Sequence, residues 1–582
     1  MLQKGGAFLL EDIDPQDVFT PEDFTDEHRM IQSTVADFAV NELAPKAEEL
    51  ENQPEGLMRE LMQKAGELGL LSADIPEEYG GADLGKVASC LIAENVVAGG
   101  SFAVTHSAHT GIGTMPILLF GNEEQKKKYL PRLASGEAIA AYALTEPNAG
   151  SDALSIRTRA VLSPDGKHYL LNGEKMFITN GGIADVYITY AKVDGDKFTG
   201  FIVERNTPGF SLGQEEKKMG IKGSSTRSLI FEDAKVPVEN VLGEIGKGHL
   251  IAFNALNIGR FKLGAACVGS CKLAVEHAAK YALQRVQFAQ PIARFGLIQH
   301  KLAMMAARTY AVESVIYRIA GMLEEALADK KEGPAAVEAI SEYAIECSIA
   351  KVLASEVLDY VVDEMVQIYG GYGYIQEYPA ERFYRDSRIN RIFEGTNEVN
   401  RLLIPATIAR RAMKGQLNFL GAARTLAREI LNLRATLPED DGKPLAAERQ
   451  MLAMAKKLFL FIGGQAVEKY MDKLAQQQEI MGILADLAIV IYAMESAIVR
   501  VLKAHGNGQA DKKLLLAQAY VHDTYPLLEK WAREAMCFLF EGDMRQTQLS
   551  IVKRMCKHQP VDLIGLRRQI ADRVLTAEKY VV

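Results

Sequence analysis

Apolar positions near the amino terminus recur at helical spacing. Ile31, Val35 and Phe38 share one face, and Thr20-Pro21-Glu22-Asp23 ahead of them reads as an N-cap with proline at the first helical position. Leu57, Leu61, Ala65 and Leu68 mark a second helix, stopped by Gly69. From Ala138 the period shortens to β-type runs, with cores at Phe201-Ile202-Val203 and Leu229-Ile230-Phe231. They are punctuated by turn or hairpin signals at Pro164-Asp165-Gly166, Asn172-Gly173, Asn180-Gly181-Gly182 and Asp194-Gly195. Beyond Pro237 and Gly243, long helical patterns run over Arg260 to Arg285, His300 to Lys330 and Ala335 to Tyr369, and an antiparallel bundle is the expected packing. A last helical stretch is entered through Leu437-Pro438-Glu439-Asp440-Asp441-Gly442 and broken at Gly506-Asn507-Gly508.

These periods predict an α+β fold, mainly α. The expected units are an N-terminal helical domain over 20–137, a middle β domain of barrel-like form over 138–245, a four-helix bundle over 246–415 and an extra helical domain over 416–582. The 582 residues, 48% hydrophobic and 24% charged, suit a multidomain globular chain. A net charge of −9 argues against nucleic acid as the main partner, since phosphate-tracking surfaces need a basic excess. The six cysteines form no CxxC pair and have no histidines at metal-ligand spacing, so they read as buried thiols in a reducing compartment, and no metal site is expected. Ala7 to Leu10 is too short for a secretory signal, and Asp486 and Glu495 interrupt the apolar stretch Ile483 to Val501 as a membrane span. A cytoplasmic protein is the expectation.

Two segments carry candidate chemistry. Tyr142-Ala143-Leu144-Thr145-Glu146-Pro147-Asn148-Ala149-Gly150-Ser151-Asp152 is an apolar strand followed by a hydroxyl-rich turn, able to offer N–H groups and small hydroxyls to a flat heterocycle or a phosphate. Alone it reads better as an ordinary strand-to-loop turn. Gln367-Ile368-Tyr369-Gly370-Gly371-Tyr372-Gly373 is followed by Pro379, Glu381-Arg382, Arg385-Asp386 and Ile392-Phe393-Glu394-Gly395-Thr396. Its glycines allow close backbone approach and its arginines can pair with carboxylates or phosphates. Helix capping and surface ion pairs would explain either half.

In this order and at this separation, the two segments resemble both signature segments of the acyl-CoA dehydrogenase family, over about residues 25 to 415. With its helical tail the chain looks most like the very-long-chain branch. The resemblance implies an FAD enzyme that removes hydrogen from the α and β carbons of a fatty acyl-CoA in β-oxidation. Glu394 would be the base, the Glu394 N–H and a ribityl hydroxyl would polarise the thioester carbonyl, and an electron-transfer flavoprotein would take the electrons. It places FAD against Tyr142, Leu144, Thr145, Gly150, Ser151, Phe177, Ile178 and Thr179, with Thr396, Asn397 and Glu398 flanking it. It gives Arg285, Phe288, Gln367, Gly370 and Gly371 to the pyrophosphate and adenine of a partner subunit's cofactor. Ser151, Asn257, Arg260 and Gly395 would hold substrate, Arg260 serving the CoA part. Two departures stand out: Phe177 replaces a frequent tryptophan, and Gly296 after Phe295 replaces a frequent glutamine. Some relatives carry the base at the position matching Gly259, where glycine can abstract nothing.

A solvated glutamate titrates at about 4.3, too low for a base near neutrality, and Phe393 with a desolvating acyl chain is expected to raise it towards roughly 6 to 7. The small residues in His109-Thr110-Gly111-Ile112-Gly113-Thr114-Met115-Pro116 are expected to open a deep acyl channel and favour long chains. In the tail, Leu458-Phe459-Leu460-Phe461-Ile462 with Lys456, Lys457, Lys469 and Lys473 fits either a basic amphipathic helix lying on a membrane or a helix packed on the body. Tailed relatives tend to be homodimers, which is the expectation here. An oxygen-using acyl-CoA oxidase and a non-catalytic scaffold are the competing function classes.

Overall fold

The computed structural model describes residues 3–430, 441–506, 508 and 510–582. Leu437 to Asp440 and Asn507, two of the expected loop points, lie outside the described residues. The first helices are α1 (Asp26–Phe38), α2 (Leu57–Glu67), α3 (Gly85–Asn95) and α4 (Glu123–Ala134). Thr25, not Thr20, caps α1, its hydroxyl accepting from the His28 N–H. Thr20 and Pro21 instead open a separate 3-10 turn closed by the Asp23 carboxylate. Both threonines carry capping chemistry, and only the tertiary path decides which one starts the long helix.

Eight strands form one sheet: β1 (Ala140–Ala143), β2 (Arg159–Leu162), β3 (His168–Thr179), β4 (Val186–Val193), β5 (Lys197–Glu204), β6 (Phe210–Glu215), β7 (Thr226–Pro237) and β8 (Val241–Leu242). The order is β6-β7-β3-β2-β4-β5-β8, with β1 pairing parallel to β4. Alternation sends Ala141 and Ala143 towards the core built with α1 and α2, and Ala140 and Tyr142 towards the opposite core with Ile251, Ala255 and Ile258. Tyr142 thereby reaches the bundle. Asn172-Gly173 is not a turn. It lies inside β3 as a bulge opposite β7, where a Cβ on Gly173 would fall 2.5 Å from the Thr158 hydroxyl.

The bundle comprises α5 (Gly248–Gln284), α6 (Gly296–Leu327), α7 (Ala344–Tyr369) and α8 (Asn397–Met413). Between α5 and α6 stands a hairpin of β9 (Val286–Gln287) and β10 (Gln290–Pro291). The helix expected from Ala335 is two helices, because Tyr343 breaks it and the Glu342 carbonyl accepts from Arg411 Nη1 instead of continuing the ladder.

The extension holds α9 (Ala446–Tyr470), α10 (Gln478–Gly506), α11 (Asp511–Leu539), α12 (Gly542–Met555) and α13 (Leu563–Ala577). Leu458 to Ile462 are all buried, and Lys456 pairs with Glu495, so this stretch packs into the protein core. By length and composition α10 is apolar enough to cross a membrane, contrary to the expectation that its two acids disqualify it. It is a core helix here: Asp486 pairs with Arg401 of α8, and Glu495 with Arg318 of α6. The amino-terminal run Ala7-Phe8-Leu9 is buried beside it, with Phe8 edge-on to Tyr492 at 4.7 Å. Five cysteines are buried as expected, but Cys537 is exposed, on the outer side of α11 from its buried neighbour Met536.

Candidate active site

Glu394 lies between the short turn Arg388–Arg391 and α8, with φ 58°, followed by Gly395 with φ 80°. A non-glycine residue in this region costs on the order of 1–3 kcal/mol unless its surroundings hold it. Here Arg260 Nε donates to the Glu394 carbonyl at 3.2 Å, while Asn400 Nδ2 reaches the same oxygen at 3.4 Å and the Gly395 carbonyl at 2.8 Å. The turn throws the carboxylate across α5 onto Gly259, where any Cβ would lie 2.5 Å from Glu394 Oε2. Any larger residue there must displace the carboxylate.

Glu394 is half-buried, and one oxygen of its carboxylate has no direct partner. Oε2 is enclosed and has no hydrogen bond among the described residues, and neither has the Glu394 N–H. Burial raises the Glu394 carboxyl to about 7, against the pull of Arg260 and Lys351. Burial lowers Lys351 to about 8, opposed by Glu394, and its Nζ donates to Asn397 Oδ1 at 2.6 Å. Sequence reading missed Lys351. Its one signal was a lysine amid the apolar run Ile349 to Ala354 of α7, all of it buried.

The other expected residues fall into groups. Tyr142, Asn257, Arg260 and Gly395 gather around Glu394. Tyr142 donates to the Ala252 carbonyl of α5, Arg260 Nη1 donates to Asn257 Oδ1 at 3.2 Å, and a Cβ on Gly395 would be 3.6 Å from Arg260 Nη2. Arg260 is buried, with two of its donors spent inside the chain.

Thr145, Phe177 and Thr179 form a second group, because the Met176 N–H donates to the Thr145 carbonyl. Phe177 is 60% exposed at a bulge with φ 59°. Leu144 and Ile178 bury their side chains in the core, leaving main-chain groups to offer. The loop carrying exposed Gly150 and Ser151 is pinned by Glu146, which takes Lys175 Nζ at 2.7 Å and the Thr158 N–H at 3.0 Å.

Thr396 caps α8 through the Val399 N–H, with exposed Glu398 in the first turn, while the Asn397 side chain is occupied by Lys351, Ser355 and Glu356. Arg285, Gly370 and Gly371 line a separate cleft of about 490 Å³, where Arg285 stacks over Tyr372 at 5.3 Å. Phe288, 88% exposed, sits at the tip of the neighbouring hairpin, and Gln367 is exposed near the end of α7. Arg285 is 26 residues beyond Gly259 on α5, about 39 Å along the helix.

At the two glycines expected to open a channel, a Cβ on Gly111 would meet only Lys262 Cδ at 3.5 Å, an ordinary contact, while one on Gly113 would meet Ala140 Cβ at 2.7 Å, so packing against β1 requires glycine at 113 alone. The Lys262 stem borders Gly111, and its ammonium pairs with buried Asp74.

Models of the acyl-CoA dehydrogenase N-terminal, middle and C-terminal domains match residues 25–137, 141–234 and 246–409, and a further acyl-CoA dehydrogenase C-terminal-domain model matches 454–554. The chain belongs to the acyl-CoA dehydrogenase family. It is 51% identical to a probable acyl-CoA dehydrogenase of Bacillus subtilis (strain 168), covering 100% of this chain and 99% of that one. A crystal structure of acyl-CoA dehydrogenase complexed with FAD from Bacillus anthracis is 53% identical over the full length of both chains, with a TM-score of 0.98. The mitochondrial very long-chain specific acyl-CoA dehydrogenase of Macaca fascicularis is 36% identical, covering 84% of this chain and 76% of that one. This acyl-CoA dehydrogenase is an FAD-dependent oxidoreductase acting on acyl-CoA. Its residues suit the cofactor: Phe177 presents a bare aromatic face, and a Cβ at Gly370 or Gly371 would meet only open space.

Proposed function

We propose that Glu394 is the base that takes the α proton of a fatty acyl-CoA, and the observation that carries this is its enclosed, unpartnered Oε2 with a carboxyl raised to about 7. The free Glu394 N–H is the donor for the thioester carbonyl, drawing charge from the α carbon as the proton leaves. Arg260 is a positioning residue, since its Nε fixes the carbonyl of the strained turn. FAD, when bound, supplies the acceptor for the β hydride. Tyr142, Thr145, Gly150, Ser151, Phe177 and Thr179, with main-chain groups of Leu144 and Ile178, hold the flavin end. Thr396, Glu398 and the Asn397 main chain close it from α8, and Ser151, Asn257 and Gly395 contact substrate. Phe288, Gln367, Gly370, Gly371 and Arg285 take the dinucleotide end of a second subunit's cofactor, because about 39 Å of helix separates them from Glu394 in one chain. The assembly is accordingly a homodimer, and a monomer in light scattering would refute this division.

The substrate class is long or very long acyl-CoA in fatty acid β-oxidation, with an electron-transfer flavoprotein as acceptor. Support comes from the match to a very long-chain specific relative, which extends beyond the body into the extension. Palmitoyl-CoA should exceed octanoyl-CoA in kcat/KM, and the reverse order would overturn the chain-length reading. The burial of five thiols fits the cytoplasm. The deciding experiment for Glu394 is anaerobic: palmitoyl-CoA bleaches the flavin of the wild type, whereas Glu394→Gln retains FAD and bleaches about 10²–10⁴-fold more slowly. A variant that bleached at the normal rate would remove Glu394 from the mechanism.

A further inference from the structure

The last helix of the extension reaches the cofactor surface of the body. α13 is fixed on α6 by its inward residues: Leu566 and Ile570 are buried, and Arg567 Nη2 donates to Asp523 Oδ1 at 3.1 Å while Arg308 Nη2 holds Oδ2 at 3.1 Å. The next residue, Arg568, is exposed and makes no ion pair or hydrogen bond among the described residues. A Cβ built on Gly296 would lie 4.0 Å from Arg568 Nη2. Gly296 opens α6 directly after Phe295, whose ring meets that of Phe288 edge-on at 6.0 Å. The guanidinium thus stands beside the Arg285–Phe288 hairpin, over position 296, where glycine offers no side chain of its own. The first N–H groups of the 32-residue α6 add positive potential at the same place.

We infer that Arg568 is an FAD-binding residue contributed by the extension, with the cofactor's pyrophosphate as its target. This rests on the reading of Arg285, Phe288, Gly370 and Gly371 as the dinucleotide end of the site. A guanidinium matches paired phosphate oxygens in charge and fork geometry, and a glycine at 296 leaves both Arg568 and the phosphates room to approach. The extension then secures the cofactor as well as covering α6.

The test is FAD release from purified holoenzyme, followed as flavin fluorescence after dilution. Arg568→Ala should release FAD about 5- to 20-fold faster, Arg568→Lys by less, and Gly296→Gln placed in the Arg568→Ala background should slow release again by supplying an amide donor. Arg285→Ala is the reference, and thermal melts of the FAD-saturated proteins confirm that the exposed substitutions leave the fold intact. If Arg285→Ala sheds FAD and Arg568→Ala does not, the inference about Arg568 is overturned and the site reading survives. If neither sheds FAD, the reading of this surface falls and the inference with it.

Discussion

Two glutamates with enclosed carboxylate oxygens meet opposite fates in this chain. Glu394 lies over Gly259 without a partner for Oε2, and burial raises it to about 7. Glu313, where α6 meets the extension, is buried outright, and burial pushes it up too. Lys272 and Arg500, with hydrogen bonds at 2.5 and 2.6 Å, override that push and hold it at about 2. The Tyr580 hydroxyl adds a third bond at 2.9 Å, and Arg500 passes on to Glu22 in the amino-terminal segment. The comparison shows that burial sets the size of the electrostatic penalty, and partners decide whether it becomes a fastened joint or a poised base. Raised pKa alone does not mark the base. Burial lifts Glu346 to about 7 as well and leaves its Oε2 without a hydrogen bond, but its Oε1 accepts from the Gly6 N–H at 2.7 Å, and Arg318 and Arg411 are its charged neighbours.

Breaking the fastened side should have the larger effect on folding. Arg500→Ala leaves Glu313 with Lys272 and Tyr580, so the expected loss is about 3 kcal/mol, the low end for a buried pair broken on one side. Denaturant unfolding of the FAD-loaded protein reads it, with flavin reduction per folded molecule unchanged. The Glu313 contribution is present above the ordinary carboxylate range and lost as pH falls towards 2, so the gap between variant and wild type should narrow in acid. An unchanged midpoint would mean the joint carries no stability. On the poised side, Gly259→Ala puts a methyl within 2.5 Å of Oε2 and must move the carboxylate proposed as the base. About 100-fold slower bleaching by acyl-CoA is expected, equivalent to about 2.7 kcal/mol, with FAD still bound. Bleaching at the wild-type rate would show that the carboxylate works from another position.

Much of the framework was legible because it is local. The spacing of Val35 and Phe38, the stop at Gly69 and the turns at Asp165-Gly166 and Asp194-Gly195 all appear where the periods put them. What failed was decided at long range. Asn172-Gly173 has turn chemistry, yet it lies in a bulge inside β3, where Thr158 just ahead of β2 leaves no room for a Cβ on Gly173. The neighbour of Gly111 is a lysine stem from α5, distant in sequence, which no local pattern announces. Glu394 was legible through its motif, and Gly259 gained a meaning no sequence pattern carries: it is the floor on which the carboxylate rests. Lys351 was illegible because a buried lysine in an apolar helix acquires a role only when α7 and the Glu394 turn are brought together.

The smallest expected effect separates the two raised carboxyls. The base must be ionised to take a proton, so kcat/KM for flavin reduction should rise with pH through about 7, the value burial gives Glu394. Lys351 pulls that value down while it is charged, and it is itself lowered to about 8 by burial, so both groups titrate in adjoining ranges. Lys351→Met removes the pull, and the acid limb should move to higher pH by up to about one unit, roughly 1.4 kcal/mol. Glu346→Gln removes a carboxyl of similar value that faces the amino-terminal segment, so the limb should stay in place. A limb that followed Glu346 and ignored Lys351 would mean that the group controlling reduction is not the one seated on Gly259. A limb that moved with Lys351 alone ties the titration to the unpartnered carboxylate, because among the charged groups acting on Glu394 only Lys351 changes charge in this range.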